Sequence, residues 1–96
     1  MQNWYRKISQ NNQLLNDLTR VLVTWLKQAN NGYVDVNSVY QDIDVLIPGI
    51  DDSQIISNAL FQASAIVSGE NSMGMLSENQ NILFNEIKNR FSTGNQ

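Results

Sequence analysis

The sequence predicts an all-α fold, a single antiparallel four-helix bundle spanning residues 1–96. Three observations predict it. Apolar residues recur at spacings of three and four over four separate segments. Each segment is bounded by capping or breaking residues. The connections are short, which favours antiparallel packing of successive helices.

The first helix is expected over residues 3–29. Leu15, Leu18, Leu22, Trp25 and Ala29 form one face, and Trp4 and Ile8 extend it backwards. Ser9-Gln10-Asn11-Asn12 is expected to loosen this helix, because Ser and Asn compete for backbone hydrogen bonds. Unbroken, it would be about 40 Å long. Asn30-Asn31-Gly32 stops it, with Gly32 suited to a left-handed cap. The second helix, residues 35–47, takes Asp35 as N-cap and buries Val36, Val39, Ile43 and Leu46 or Ile47, with Ile50 beyond, before Pro48-Gly49 halts it. Its β-branched content leaves a strand as the alternative. The third helix, residues 52–68, starts at Asp51-Asp52-Ser53 and buries Ile56, Leu60, Ala63 and Val67. Ala59, Ala63 and Ala65 permit close approach of a neighbour, and Ser68-Gly69 ends the helix. The fourth, residues 77–91, opens on a capping box, Ser77-Glu78-Asn79-Gln80. Leu83, Ile87 and Phe91 form its buried stripe, with Leu76, Ile82 and Phe84 beside it. Lys88 and Arg90 suit the negative end of its dipole. Thr93–Gln96 is a short tail.

Composition removes many functions. The chain has no cysteine and no histidine, so disulfides, thiol catalysis, Cys/His zinc sites and His-based triads are absent. No apolar run approaches the roughly 20 residues of a spanning helix, and the N-terminus lacks a signal-peptide core. A soluble cytoplasmic protein is expected. Asn and Gln number 23 but are scattered between apolar positions, as on polar helix faces.

Charge is segregated. Residues 1–29 carry Arg6, Lys7, Arg20 and Lys27 against Asp17, a net of +3. Residues 30–70 carry six acids and no base, and residues 71–96 balance. The acidic middle either packs beside the basic first segment or offers an acidic surface to a basic partner. Six bases spread along the chain cannot make a phosphate-binding stripe, so no nucleic-acid partner is expected.

The search for chemistry finds no site. Asp42 and Asp44 lie two apart on a helix and do not face each other. Gly69 to Gly74 has phosphate-loop spacing, but Met75-Leu76 stand where Lys and Ser/Thr belong. No nucleophile–base pair can be assembled. The aromatic residues fall mostly on or near helical stripes, as core residues do. Tyr33, after Gly32, is the expected exposed exception. Met73 and Met75 flank Gly74 off any stripe. They either fold over the open end of the bundle or act as adaptable contact residues. A protein that works by binding, without metal, cofactor or catalysis, is expected.

The ordered residues resemble the immunity proteins of class IIa (pediocin-like) bacteriocins, the enterocin A immunity family. The likeness runs through Trp4-Tyr5-Arg6-Lys7-Ile8-Ser9 and Asp17-Leu18-Thr19-Arg20-Val21-Leu22-Val23-Thr24-Trp25-Leu26-Lys27. It continues in Val39-Tyr40-Gln41-Asp42-Ile43 with its stop at Pro48-Gly49-Ile50, and is closest over Leu76–Ile87. The family fold is an antiparallel four-helix bundle. The resemblance implies a monomeric cytosolic self-protection protein, which associates from inside with the mannose phosphotransferase permease when bacteriocin is engaged. It implies no cofactor. The family's C-terminal half carries much of its specificity. On this chain that points to Asn71, Met73 and Met75 in the connection, and to Asn79, Asn81, Asn85, Lys88, Asn89 and Arg90 on the last helix. Each is also what a solvated surface carries. Many relatives continue past the last helix, and determinants in such a tail have no counterpart in these 96 residues. The other readings are an acidic adaptor that occupies a nucleic-acid-binding partner, and a structural bundle within a larger assembly.

Overall fold

The computed structural model describes the backbone of residues 2–47 and 53–91, and the side chains of residues 12–47 and 54–91. Four helices are present: α1 (Gln2–Ala29), α2 (Val36–Leu46), α3 (Ser53–Glu70) and α4 (Glu78–Arg90). They form an all-α four-helix bundle, as the periodicity and the short connections predict, with consecutive helices alternating in direction. The expected roles of Trp4, Ile8, Pro48-Gly49, Ile50, Asp51-Asp52-Ser53 and the 93–96 tail lie outside the described residues.

α1 runs unbroken through Ser9–Asn12. A few tenths of a kcal/mol per weak residue does not outweigh the cost of nucleating a second helix. Its last turn tightens into i→i−3 bonds, with Asn30, Asn31 and Gly32 amides donating to the carbonyls of Lys27, Gln28 and Ala29 at 3.0–3.2 Å. Gly32 then turns the chain, but not as a left-handed cap. Its φ is +150°, far from the ~+57° of that conformation and in a region only glycine occupies readily. α2 is helical, not a strand, and Asp35 caps it, its carboxylate accepting from the Asn37 amide at 3.1 Å.

The core is built from one line on each helix. α1 contributes Leu18, Leu22, Leu26 and Ala29, all buried. Leu26 joins the stripe, while Leu15 and Trp25 sit half-buried on its flanks. Trp25 turns toward α2, where its indole N–H donates to the Asp42 carboxylate at 2.8 Å. Val39, Ile43 and Ile47 face the core from α2 and the chain just beyond it. Ile56, Leu60, Ala63 and Val67 face it from α3, and Leu83, Ile87 and Phe91 from the fourth segment. Phe61 and Ile82 are exposed rather than packed inside.

The helix order around the bundle is less expected. Thr19 Oγ1 donates to Gln62 Oε1 at 3.1 Å, and Lys27 Nζ pairs with Glu70 Oε1 at 3.0 Å. Both pairs have the same sequence offset, so α1 and α3 lie side by side and parallel. Theirs is the most extensive helix contact in the molecule, with Ala59 and Ala63 buried on α3. α2 packs on α1 and α4, α3 packs on α1 and α4, and α2 does not pack on α3 among the described residues. Consecutive helices alternate in direction, but α2 and α3 stand on a diagonal and are not neighbours.

α3 also outruns its expected end at Ser68-Gly69, continuing to Glu70. Gly69 has no positive φ and holds helical geometry. The Lys27–Glu70 ion pair fastens this last turn to α1. A Cβ at Gly69 would meet nothing within 4 Å. Gly69→Ala is therefore expected to stabilise the fold by about 0.5–1 kcal/mol. Thermal unfolding should show a rise of about 2–8 °C in a domain of this size.

Candidate functional site

The α1–α2 turn and the α3–α4 connection lie at the same end of the bundle, joined by Lys27–Glu70. The connection is held by its own side chains. Gln80 is 1% exposed, and its Oε1 accepts from the Ser77 amide at 2.9 Å, while the Gln80 amide donates to Ser77 Oγ at 3.4 Å. This is the expected capping box. The same Oε1 accepts from Asn71 Nδ2 at 2.9 Å, and Asn71 Nδ2 also donates to the Met75 carbonyl at 2.8 Å. Gly74, at φ +72°, closes the turn by donating to the Asn71 carbonyl at 3.0 Å. Asn71 and Gln80 thus brace the turn from within, and neither methionine side chain is among the groups that hold it.

Met73 is 77% exposed and Met75 61%. They do not fold over the end of the bundle. Tyr33 is 91% exposed in the neighbouring turn, as its place after Gly32 suggests, and Ile82 is 54% exposed on the first turns of α4. Four large apolar side chains therefore stand at one end of a small bundle. Single exposed apolar residues are ordinary on a protein surface, and it is the presence of four at one end that makes this end the candidate interaction surface.

Two grooves flank the α1–α2 turn. One, of about 170 Å³, lies between Ala29, Gly32, Tyr33 and Val34 on one side and Asn79, Ile82, Leu83 and Glu86 of α4 on the other. The second is wider and shallower, and runs between Asn30 and the connection from Glu70 to Ser77, including Met73 and Met75.

The residues picked out from sequence are only partly brought together. Met73, Met75 and Asn79 share this end. Asn71 is there too, but its amide braces the turn instead of facing a partner. Asn81, Asn85, Lys88 and Asn89 are exposed along α4. Arg90 lies eleven residues from Asn79, about 16 Å along the helix, with its guanidinium 4.8 Å from the centre of the Tyr40 ring. Ile82 was the residue hardest to find from sequence. It stands one position from Leu83, which turns it about 100° off the buried stripe.

The α2–α4 seam beside Arg90 has its own electrostatics. The Tyr40 hydroxyl donates to the Glu86 carbonyl at 3.4 Å, and its ring meets Phe91 edge-on at 5.8 Å. Burial pushes the phenol above its ordinary value of 10.0, Arg90 pulls it down, and the Glu86 carboxylate adds to the rise. A group whose folded pKa is raised holds its proton more tightly when folded, so its stabilisation is present below about pH 10 and lost as pH rises through the folded value. Unfolding free energy measured by denaturant is expected to fall above pH 10, and Tyr40→Phe to flatten that fall.

Among the described residues no three acidic side chains cluster to hold a metal ion, and no helix is long and apolar enough to cross a membrane. The chain matches no protein-family model, no curated protein and no solved structure.

Proposed function

We propose that this protein is an immunity protein against a pediocin-like bacteriocin. It protects the cell that makes the peptide by binding, without catalysis or cofactor, at the mannose phosphotransferase permease from the cytosolic side once bacteriocin is engaged. The sequence likeness over the first, second and fourth helices supports this reading. The observation that carries it is the braced α3–α4 turn, which holds Met73 and Met75 out from the C-terminal half, where such proteins keep their specificity. Methionine suits the role, since its unbranched polarizable side chain adapts to an irregular partner surface.

The test is protection in a living cell. The chain is expressed in a sensitive Gram-positive strain carrying the permease, which is challenged with a panel of pediocin-like peptides. Selective resistance to one or two peptides at unchanged permease level is expected, and Met73→Ser/Met75→Ser should abolish it while the protein stays folded and abundant. No protection against any peptide of a broad panel would overturn the reading and favour a structural role in a larger assembly.

A further inference from the structure

We infer that the groove between the α1–α2 turn and α4 receives one large apolar side chain from a cationic protein segment. This rests on the reading that this end of the bundle binds a protein.

Size comes first. About 170 Å³ is well below the roughly 300–1,000 Å³ of sites for small-molecule ligands. It has room for a single aliphatic or aromatic anchor, the kind of residue that dominates binding energy when it fills a pocket. The lining suits such an anchor: Ala29, Val34 and Leu83 form the floor, and Tyr33 and Ile82 stand exposed as walls.

Charge narrows the partner. Glu86 lines the groove. Asp35 and Glu78 are adjacent in sequence to lining residues without lining the groove themselves, and the Asp35 carboxylate is engaged as the α2 cap. No cation lines the groove. Lys88 is only two positions from Glu86, a spacing that puts it on a different face of the helix, and Lys27 and Arg90 are engaged elsewhere. Lys27 is held by Glu70 at 3.0 Å, and Arg90, one turn beyond Glu86, lies over the Tyr40 ring. An apolar slot with the Glu86 carboxylate on its rim fits an apolar residue flanked by Lys or Arg. The same rim disfavours an anionic membrane surface or a nucleic acid. It also disfavours a second copy, because a two-fold contact would set the Glu86 carboxylate against its own counterpart.

The experiment uses the isotope-labelled full chain, followed residue by residue by NMR. The probe is a short amphipathic peptide of Leu and Lys, compared with its Leu/Glu counterpart and a Lys/Ser peptide lacking the apolar anchor. The Leu/Lys peptide is expected to shift Gly32, Tyr33, Asn79, Ile82 and Glu86 saturably, with binding weakened by salt. Ile82→Asn should weaken binding about tenfold. Glu86→Gln should weaken it about 2–5-fold and reduce the salt dependence. Glu86 is exposed and Ile82 about half exposed, so both variants should unfold within a few degrees of wild type. Equal binding of the Lys/Ser or Leu/Glu peptide, shifts centred on Asp42 and Asp44, or no shift at all would overturn the inference. So would concentration-dependent shifts at the groove without peptide, which would make a second copy the occupant. Loss of cell protection with groove binding intact would sink only the immunity reading. Protection without groove binding would sink only this inference.

Discussion

Replacing Gln80 with leucine is expected to lower the unfolding free energy by about 2–3 kcal/mol, although leucine is apolar, of similar size and a better fit to a buried position by any hydropathy argument. Gln80 Oε1 accepts from both the Ser77 amide and Asn71 Nδ2. Leucine cannot replace it, and the two donors lose their partner. An unmade hydrogen bond in a place that water reaches poorly costs more than a made one contributes. The effect should be selective as well as large. Asn71 keeps its bond to the Met75 carbonyl, so the α3–α4 turn should loosen before the core does. Urea unfolding measures the first effect, and amide exchange at Gly74 and Met75 the second. A double-mutant cycle with Asn71→Ala should give a coupling of about 0.5–3 kcal/mol. An additive pair would mean that the two side chains brace the turn independently.

Leu22→Ala is expected to cost more, about 3–5 kcal/mol. Leu22 is fully buried in α1, on the line that faces the core. The loss combines the transfer of its methyl groups with the cavity left behind. Fixed helices on both sides of that line leave little room for collapse. A domain of 96 residues has about 5–14 kcal/mol in total, so this one substitution removes a large fraction. Val45→Thr on α2 is the control: Val45 is exposed, and a surface change of this kind should stay within about 0.5 kcal/mol. Comparable losses at the two sites would contradict the assignment of the core.

The elements legible in the sequence are those decided by neighbours along the chain. The Asp35 cap, the Ser77–Gln80 box and the Leu18–Leu22–Ala29 line follow from spacings of two, three, four and seven residues, all within two helical turns, and the structure has each of them. Positions decided by another helix were not legible in the same way. Leu26 holds the buried place expected of Trp25, and Trp25 lies on the flank, bonded to Asp42 of α2. Gly69 looks like a terminator, but the helix runs past it to Glu70, which meets Lys27 of α1. The pairing of α1 with α3 has no local signature at all, since a short connection sets direction and not which helices touch. The candidate surface divides likewise. Tyr33 could be placed outside from the turn before it. The outward set of Met73 and Met75 depends on Asn71 and Gln80 meeting across nine residues, and Ile82 faces a groove whose other wall comes from the α1–α2 turn.

The parallel α1–α3 pairing bears on how the protein is made. As the chain leaves the ribosome, α1 emerges first with Leu18, Leu22 and Leu26 exposed, and α2 covers only part of that surface. The residues that complete the cover arrive about 43 positions later, as the Thr19–Gln62 spacing shows. At about 5–20 residues per second, that leaves the stripe uncovered for about 2–9 s in each round of synthesis. During that interval the nascent chain offers a greasy helix to anything nearby, and its safe maturation depends on how quickly the second half follows the first.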